Sequence, residues 1–177
     1  MIESILTTAF AVTRHDEVDT LLDIEQVSMQ SILLPLSLVF TPIARDARLN
    51  LKVVPSSLAV VTDRKIIMRI LNNLVTNAIS YTETGHVLVG CRRRPDGVAI
   101  QVLDTGSGFA GNDVKATKEI EGGPPSGEHG LGLAICRRLC KQIGAQLSIT
   151  SIRGQGTIVE VFIQAPANSD TFGKNKL

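Results

Sequence analysis

Asp104-Thr105-Gly106-Ser107-Gly108 and, further along, Gly130-Leu131-Gly132-Leu133 bracket the stretch around which this chain is organised. Glycines at 106 and 108 let backbone approach a flat ligand closely, and the acid just before them can accept a hydrogen bond from an exocyclic amine such as that of adenine. Gly130 and Gly132 run into the apolar pattern of a helix, whose free N–H groups and positive dipole end suit phosphate. Between the two, residues 109–129 lose apolar periodicity and contain Gly122-Gly123-Pro124-Pro125-Ser126-Gly127. That composition reads as a mobile lid over a nucleotide pocket or as a plain loop. Singly, each glycine pair is a weak signal that more often marks an ordinary turn.

The strongest helical pattern lies upstream, from Asp63 to Tyr81, with Asp63 as its N-cap. Ile67, Ile70, Leu71, Leu74, Val75, Ala78 and Ile79 share one broad face, which is core. Asn73, Asn77 and Ser80 align on the other side, as an exposed polar face or as the wall of a polar pocket. Three asparagines, Asn72, Asn73 and Asn77, weaken a helix that has no local need of them. A side-chain amide can place its carbonyl oxygen on Mg2+ without adding charge, which suits a site crowded with phosphate.

Around this centre the pattern predicts a helical segment over residues 2–28, a second helix from about Leu36 to Arg48 kinked or delayed by Pro42, and extended pieces at Leu51–Pro55 and Ala59–Val61. His86–Arg94 and Val98–Leu103 form a hairpin about Pro95-Asp96-Gly97, with Arg92, Arg93 and Arg94 as a solvated strand end. Gly130–Ile143 is an amphipathic helix stopped by Gly144, and strands at Gln146–Ser151 and Thr157–Ile163 flank the turn at residues 153–156. Residues 166–177 read as a flexible tail.

Composition narrows the function classes. The 177 residues make one domain of ordinary size or a small domain with an appendage, 44% hydrophobic but with no Trp, one Tyr and five Phe, so the core is aliphatic. Eighteen basic against seventeen acidic residues argue against a polyanion-binding surface, and nucleic acid is not an expected partner. Ile32–Phe40, the longest apolar run, is broken by Pro35 and Ser37 and falls far short of the roughly 20 residues that span a bilayer, so no membrane insertion is expected. With no secretory leader in view, and with Cys91, Cys136 and Cys140 suiting a reducing compartment, a cytoplasmic location is expected. Cys136 and Cys140 lack a second ligand pair and read as small buried hydrophobes.

Taken in order, Asn73-Leu-x-x-Asn77-Ala with Tyr81-Thr82, Asp104-x-Gly-x-Gly, Gly130-Leu-Gly-Leu-Ala and Gly154-x-Gly-Thr157 closely resemble the N, G1 and G2 boxes of the ATP-binding catalytic domain of bacterial sensor histidine kinases. The run Val87 to Arg94 is similar to hybrid sensor kinases in particular. The implied fold is the Bergerat-type α+β two-layer sandwich, a mixed, largely antiparallel sheet packed against three helices. The implied organisation is an N-terminal helical segment at 1–29 resembling the end of a dimerisation hairpin, the ATP-binding domain at 30–165, and the tail at 166–177. Resemblance makes Asn77 the Mg2+ ligand, Asn73 its phosphate-side neighbour, Tyr81 a residue beside adenine and Asp104 the reader of the adenine amine. Asn73 and Asn77 are thereby the catalytic pair. Gly106, Gly108, Gly130, Leu131, Gly132 and Thr157 line the nucleotide, and the γ-phosphate contact for which the family often uses a basic residue at the Ser80 position is either lost here or supplied by Lys115 or Lys118.

The implied cofactors are ATP and Mg2+, and the implied reaction is transfer of the γ-phosphoryl group to a histidine. Implied partners are a dimerisation and phosphoacceptor hairpin, a response-regulator receiver domain and a second copy in the full-length homodimer. No His-Glu/Asp-Leu-Arg-x-Pro acceptor box occurs in this sequence. A non-catalytic signalling module of the same fold, and an ATPase or serine kinase of the same superfamily, are the alternative readings.

Overall fold

Strand alternation and three amphipathic helices sort this chain into two layers. The structure is a computed structural model that describes residues 21–108, 114–116 and 131–166. In chain order the elements are β1 (Ile24–Ser28), α1 (Met29–Asp46), β2 (Asn50–Val53), β3 (Ala59–Asp63), α2 (Arg64–Ser80), β4 (His86–Arg94), β5 (Gly97–Asp104), β6 (Val114–Ala116), α3 (Leu131–Gln142), β7 (Gln146–Ile152) and β8 (Gly156–Gln164). The main sheet has the order β2-β4-β5-β8-β7-β6, with β2 parallel to β4 and every other pair antiparallel. β1 and β3 form a separate antiparallel pair. This is the mixed, largely antiparallel sheet under three helices that the sequence implied.

One face of the sheet carries Val87 and Val89 of β4, Val98, Ile100 and Val102 of β5, and Val159, Val161 and Ile163 of β8, all buried. The seven apolar positions predicted for the core face of α2 are buried against them, together with Cys136, Leu139 and Cys140 of α3. Among the described residues no helix is long and apolar enough to cross a membrane.

The helical reading of residues 2–28 fails where it can be checked. Residues 21–23 are not helical, and Ile24–Ser28 is extended, with Ile24 opposite Asp63 and Ser28 opposite Ala59. Only Val27 of β1 is buried, a burden too light to hold a helix on the core, so pairing with β3 decides the conformation. Residues 1–20 lie outside the described residues.

The next helix starts at Met29 instead of about Leu36, and both Pro35 and Pro42 lie inside it. Pro35 has no N–H for the Ser31 carbonyl one turn back. The guanidinium of Arg64 fills that vacancy, donating to Ser31 O at 3.0 Å and to Ser31 Oγ at 2.7 Å. A contact distant in sequence thus restores the bond that proline removes, and the helix continues through it.

The stretch read as a lid contains β6, which pairs with β7 through Val114 opposite Ser151 and Ala116 opposite Ile149. The rest of 109–129 and the tail beyond Pro166 lie outside the described residues. Arg92, Arg93 and Arg94 are exposed as expected of a solvated strand end, and Arg94 meets Glu160 at 3.0 Å.

Asp63 joins the two halves of this architecture. Its Oδ1 accepts from Lys65 N (2.8 Å) and Ile66 N (3.1 Å), capping α2, while Oδ2 accepts from Asp23 N (2.9 Å) at the entrance to β1. Burial disfavours its charge, but the backbone donors of Asp23, Ile66 and Lys65, with the Lys65 charge, prevail and hold the carboxyl below its ordinary value. Asp63→Ala is expected to cost about 1 to 2 kcal/mol of stability near neutral pH. Because the folded-state pKa is depressed, this contribution is present above the unfolded value and is lost as pH falls through the folded one. Urea unfolding of both proteins should therefore give stability curves that converge in acid, and a pH-independent gap would contradict the assignment.

Candidate functional site

Alternation along β5 places Asp104 on the helix side of the sheet, in line with Val102 and Ile100, while Leu103 faces outward. Asp104 Oδ1 accepts from Gly106 N (2.9 Å) and from Thr157 N on β8 (3.2 Å). Both bonds use one oxygen, and among the described residues nothing donates to Oδ2, which remains as an acceptor. Burial raises the pKa of this carboxyl, opposed by the two backbone donors from Gly106 and Thr157. A half-buried acceptor of this kind suits a ligand N–H better than solvent.

Glycine is required around that carboxylate by packing. A Cβ at Gly106 would meet the Tyr81 carbonyl oxygen and come within 2.9 Å of Asp104 Oδ1. Tyr81 ends α2, its N–H bonded to Asn77 O at 2.9 Å, so the end of that helix rests on the Gly106 turn. Gly108 has φ +65 and packs on the Ile152 carbonyl, and the adjacent Ser107 O accepts from Gly154 N at 2.8 Å. Gly108 therefore serves the seam between this turn and the β7–β8 turn. Thr157 adds a side-chain contact to Ser151 at 3.0 Å.

The second half of the site is where α2 meets α3. A Cβ at Gly132 would lie 3.0 Å from Asn77 Nδ2 and 3.3 Å from Asn77 Oδ1, so the glycine lets α3 begin directly against this amide. One turn earlier on α2, Asn73 is only 9% exposed, and its Nδ2 is buried without a hydrogen-bond partner. Ser80 points to solvent. The polar side of α2 thus splits: Asn73 and Asn77 turn toward α3, and Ser80 does not.

The residues match the family model described as histidine kinase-, DNA gyrase B-, and HSP90-like ATPase over positions 62–167, more than half of the chain. The chain belongs to this ATPase family. Among curated relatives it is 33% identical over 132 residues to the aerobic respiration control sensor protein ArcB of Escherichia coli K12, covering 70% of this chain and 17% of ArcB. It is 40% identical over 105 residues to the virulence sensor protein BvgS of Bordetella bronchiseptica, covering 52% of this chain and 8% of BvgS. The chain therefore spans a small part of the curated relatives it matches.

Structural likeness extends further than sequence likeness. The Acinetobacter baumannii histidine kinase AdeS superposes with a TM-score of 0.66 at 18% identity, covering 92% of this chain and 75% of AdeS. Full-length ShkA, solved in complex with AMPPNP, gives 0.63 at 24% identity, covering 92% of this chain and 35% of ShkA.

Within the ATPase family's frame, Asp104, Gly106, Tyr81 and Thr157 converge at one end of the sheet, and Asn73, Asn77 and Gly132 converge at the α2–α3 contact. Leu131 opens α3. Lys115 lies on β6, while Lys118 and Gly130 fall outside the described residues. A groove of about 280 Å³ lined by His86, Leu88, Leu103, Ile158 and Gln155 touches Asp104 and Thr157 from the opposite face of the sheet, away from the helices. It shares Asp104 and Thr157 with the site described above but opens on the other face of the sheet. Gly154-x-Gly-Thr157 stands in the sequence, but Gly156 has no role of its own in that reading; its φ of +110 brings it against the Asp104 carbonyl. Cys136 and Cys140 are buried in the core, as small hydrophobes would be.

Proposed function

We propose that this chain is the ATP-binding catalytic part of a sensor histidine kinase, which binds ATP with Mg2+ and transfers the γ-phosphoryl group to a histidine on a dimerisation hairpin. The observation that carries this reading is the Asp104 carboxylate, with one oxygen spent on Gly106 and Thr157 and the other left as an acceptor above a glycine turn. Adenine stacked over Gly106 presents its amine to that oxygen. Its phosphates then extend toward α3, where Asn77 and Asn73 lie.

Among the described residues no cluster of three His, Cys, Asp or Glu side chains can hold a metal ion. The donor set fits Mg2+ in a different way. Asn77 Oδ1 would hold the ion through one neutral oxygen, leaving phosphate and water oxygens to complete the shell that this ion prefers, and the charge supplied there would neutralise that of the phosphates. Asn73 occupies the place where related ATPases carry a glutamate to activate water, and an amide cannot act as a base. An imidazole acceptor is already a nucleophile near neutral pH, so positioning and charge neutralisation suffice. Transfer is followed in the full-length homodimer by passage to a receiver domain, with the kinase on the cytoplasmic side.

Titration calorimetry with ATP and ADP, with and without Mg2+, tests the binding half. Asn77→Ala should abolish the Mg2+-dependent gain in ATP affinity while leaving the ligand-free melting temperature within a few degrees of the parent. A large loss of stability with the metal dependence intact would instead make Asn77 a structural amide. The transfer half is tested by adding a separate hairpin that bears a complete acceptor box and following γ-labelled ATP into acid-labile phosphohistidine. Label on neither chain, in a protein that binds ATP, would reduce the function to nucleotide binding.

A further inference from the structure

The last rung between β4 and β5 is not a regular one. Val87 stands opposite Asp104, so the next position sets His86 opposite Thr105, where an antiparallel ladder exchanges two backbone bonds. One is present: Thr105 N donates to His86 O at 3.2 Å. The other is replaced, because His86 N donates to the Thr105 hydroxyl at 3.0 Å instead of to the Thr105 carbonyl. The hydroxyl proton is left for the carbonyls of His86 and Thr84, at 3.4 and 3.5 Å. Gly85 makes room for this hydroxyl, since a Cβ there would run into Thr105 Oγ1. Side-chain oxygens that stand in for backbone ones end regular structure and open turns. The turn that opens here carries the proposed adenine acceptor: Gly106 N donates to Asp104 Oδ1 at 2.9 Å, and Gly106 lies against the Tyr81 carbonyl.

We propose that Thr105 is a positioning residue, whose hydroxyl takes the place of its own carbonyl on His86 and thereby turns the next peptide toward the Asp104 carboxylate. The Thr105 carbonyl and the Gly106 N–H belong to one planar peptide unit and point in opposite directions. A carbonyl held on His86 would keep that plane in the sheet, and the Gly106 N–H with it. The Asp104 side chain stands out of the sheet on its helix side. A peptide released from the rung can aim its N–H there. Valine has nearly the same shape as threonine but no acceptor, so it would return the carbonyl to the ladder and take Gly106 N from the carboxylate. The inference rests on the proposed nucleotide site for its effect on ATP, but the rung is a property of the ligand-free protein.

The test uses the full chain with Thr105→Val, Thr105→Ser and, as a variant destabilised away from the site, Asp63→Ala. The backbone amides of His86 and Gly106 are followed by 15N–1H NMR without nucleotide, and Mg2+-ATP binding is measured by calorimetry. In the parent, the His86 amide should exchange more than about tenfold slower than an unbonded exposed amide. Thr105→Val should shift the Gly106 amide, which loses its carboxylate partner, and weaken ATP binding about fivefold, the size of one modest hydrogen bond. Thr105→Ser, which keeps the hydroxyl, should hold the His86 protection and bind within about twofold of the parent. Asp63→Ala should bind ATP as the parent does. A valine variant with parental affinity, or with an unmoved Gly106 amide, would overturn the proposal, as would a serine variant as impaired as valine. Asp63→Ala weakened as much as valine would overturn it too, since stability alone would then explain the loss. If the parent binds no ATP, the nucleotide reading fails, and the His86 and Gly106 amides still decide the positioning. If valine does not fold, the parent and serine decide: a His86 amide that exchanges freely in either refutes the contact.

Discussion

Asp104→Ala is expected to weaken ATP binding by about 1 to 3 kcal/mol, roughly five- to 150-fold, because the adenine amine would be buried without its acceptor. The same substitution removes the partner of Gly106 N and Thr157 N, so part of the effect is a loosened turn. Asp104→Asn separates the two. It can keep an acceptor for one role but places an amide donor on the other side, and should bind ATP between the parent and the alanine variant at near-parental stability. The pH dependence has a definite sign. The folded-state pKa of Asp104 is raised, so the folded protein holds this proton more tightly than the unfolded chain. Charging Asp104 therefore costs ligand-free stability as pH rises from the unfolded value through the folded one. ATP affinity should run the other way, falling as pH drops through the raised pKa and the acceptor is protonated. Calorimetry across that range, showing an affinity for Asp104→Ala equal to the parent's, would remove the adenine pocket from this position.

The largest loss of stability is expected at Gly156. Its φ is +110, and an added Cβ would run into the Asp104 carbonyl oxygen and lie 2.8 Å from the carbonyl carbon behind it and 2.9 Å from Thr105 Cα. These are backbone atoms of the paired strand, which cannot rotate away as a side chain can. Strain and overpacking together should cost Gly156→Ala about 3 kcal/mol or more. That corresponds to a fall of roughly 10 °C in melting temperature for a domain of this size. Gly144→Ala is the comparison, since φ is +66 there but nothing lies within 4 Å of the added carbon. It should cost only the conformational term, about 1 kcal/mol. Equal losses at the two positions would show that close approach to Asp104 is not what fixes Gly156. Nucleotide affinity should also fall for Gly156→Ala, because the displaced carbonyl belongs to the residue proposed to read adenine.

Much of the fold was legible because it depends on local periodicity. The α2 stripe from Ile67 to Ile79, the Asp63 cap, the hairpin about Pro95-Asp96 and the Gly144 stop are all written within one or two turns of chain, and each is found where expected. The failures share a cause. At Ile24–Ser28 a helical spacing of apolar residues lost to pairing with β3, and in α1 Pro35 was accommodated because Arg64 reaches back to Ser31. β6 went unseen because three residues carry no periodicity, and only an edge of β7 gives them a partner.

The order of the asparagine, aspartate-glycine and glycine-leucine motifs determined the family, and with it the expected sheet, helices and nucleotide chemistry, because spacing along the chain survives without coordinates. Only the tertiary structure decided how those motifs share their atoms. It ties Asp104 to Thr157 across two strands, sets Tyr81 on Gly106, stands Gly132 against Asn77, and makes Gly156 a neighbour of Asp104. These are contacts between residues from 25 to 55 positions apart, as Tyr81 to Gly106 and Asn77 to Gly132 illustrate. No local pattern encodes such contacts, because they are selected by which helix face the sheet buries and by how closely two backbones can approach.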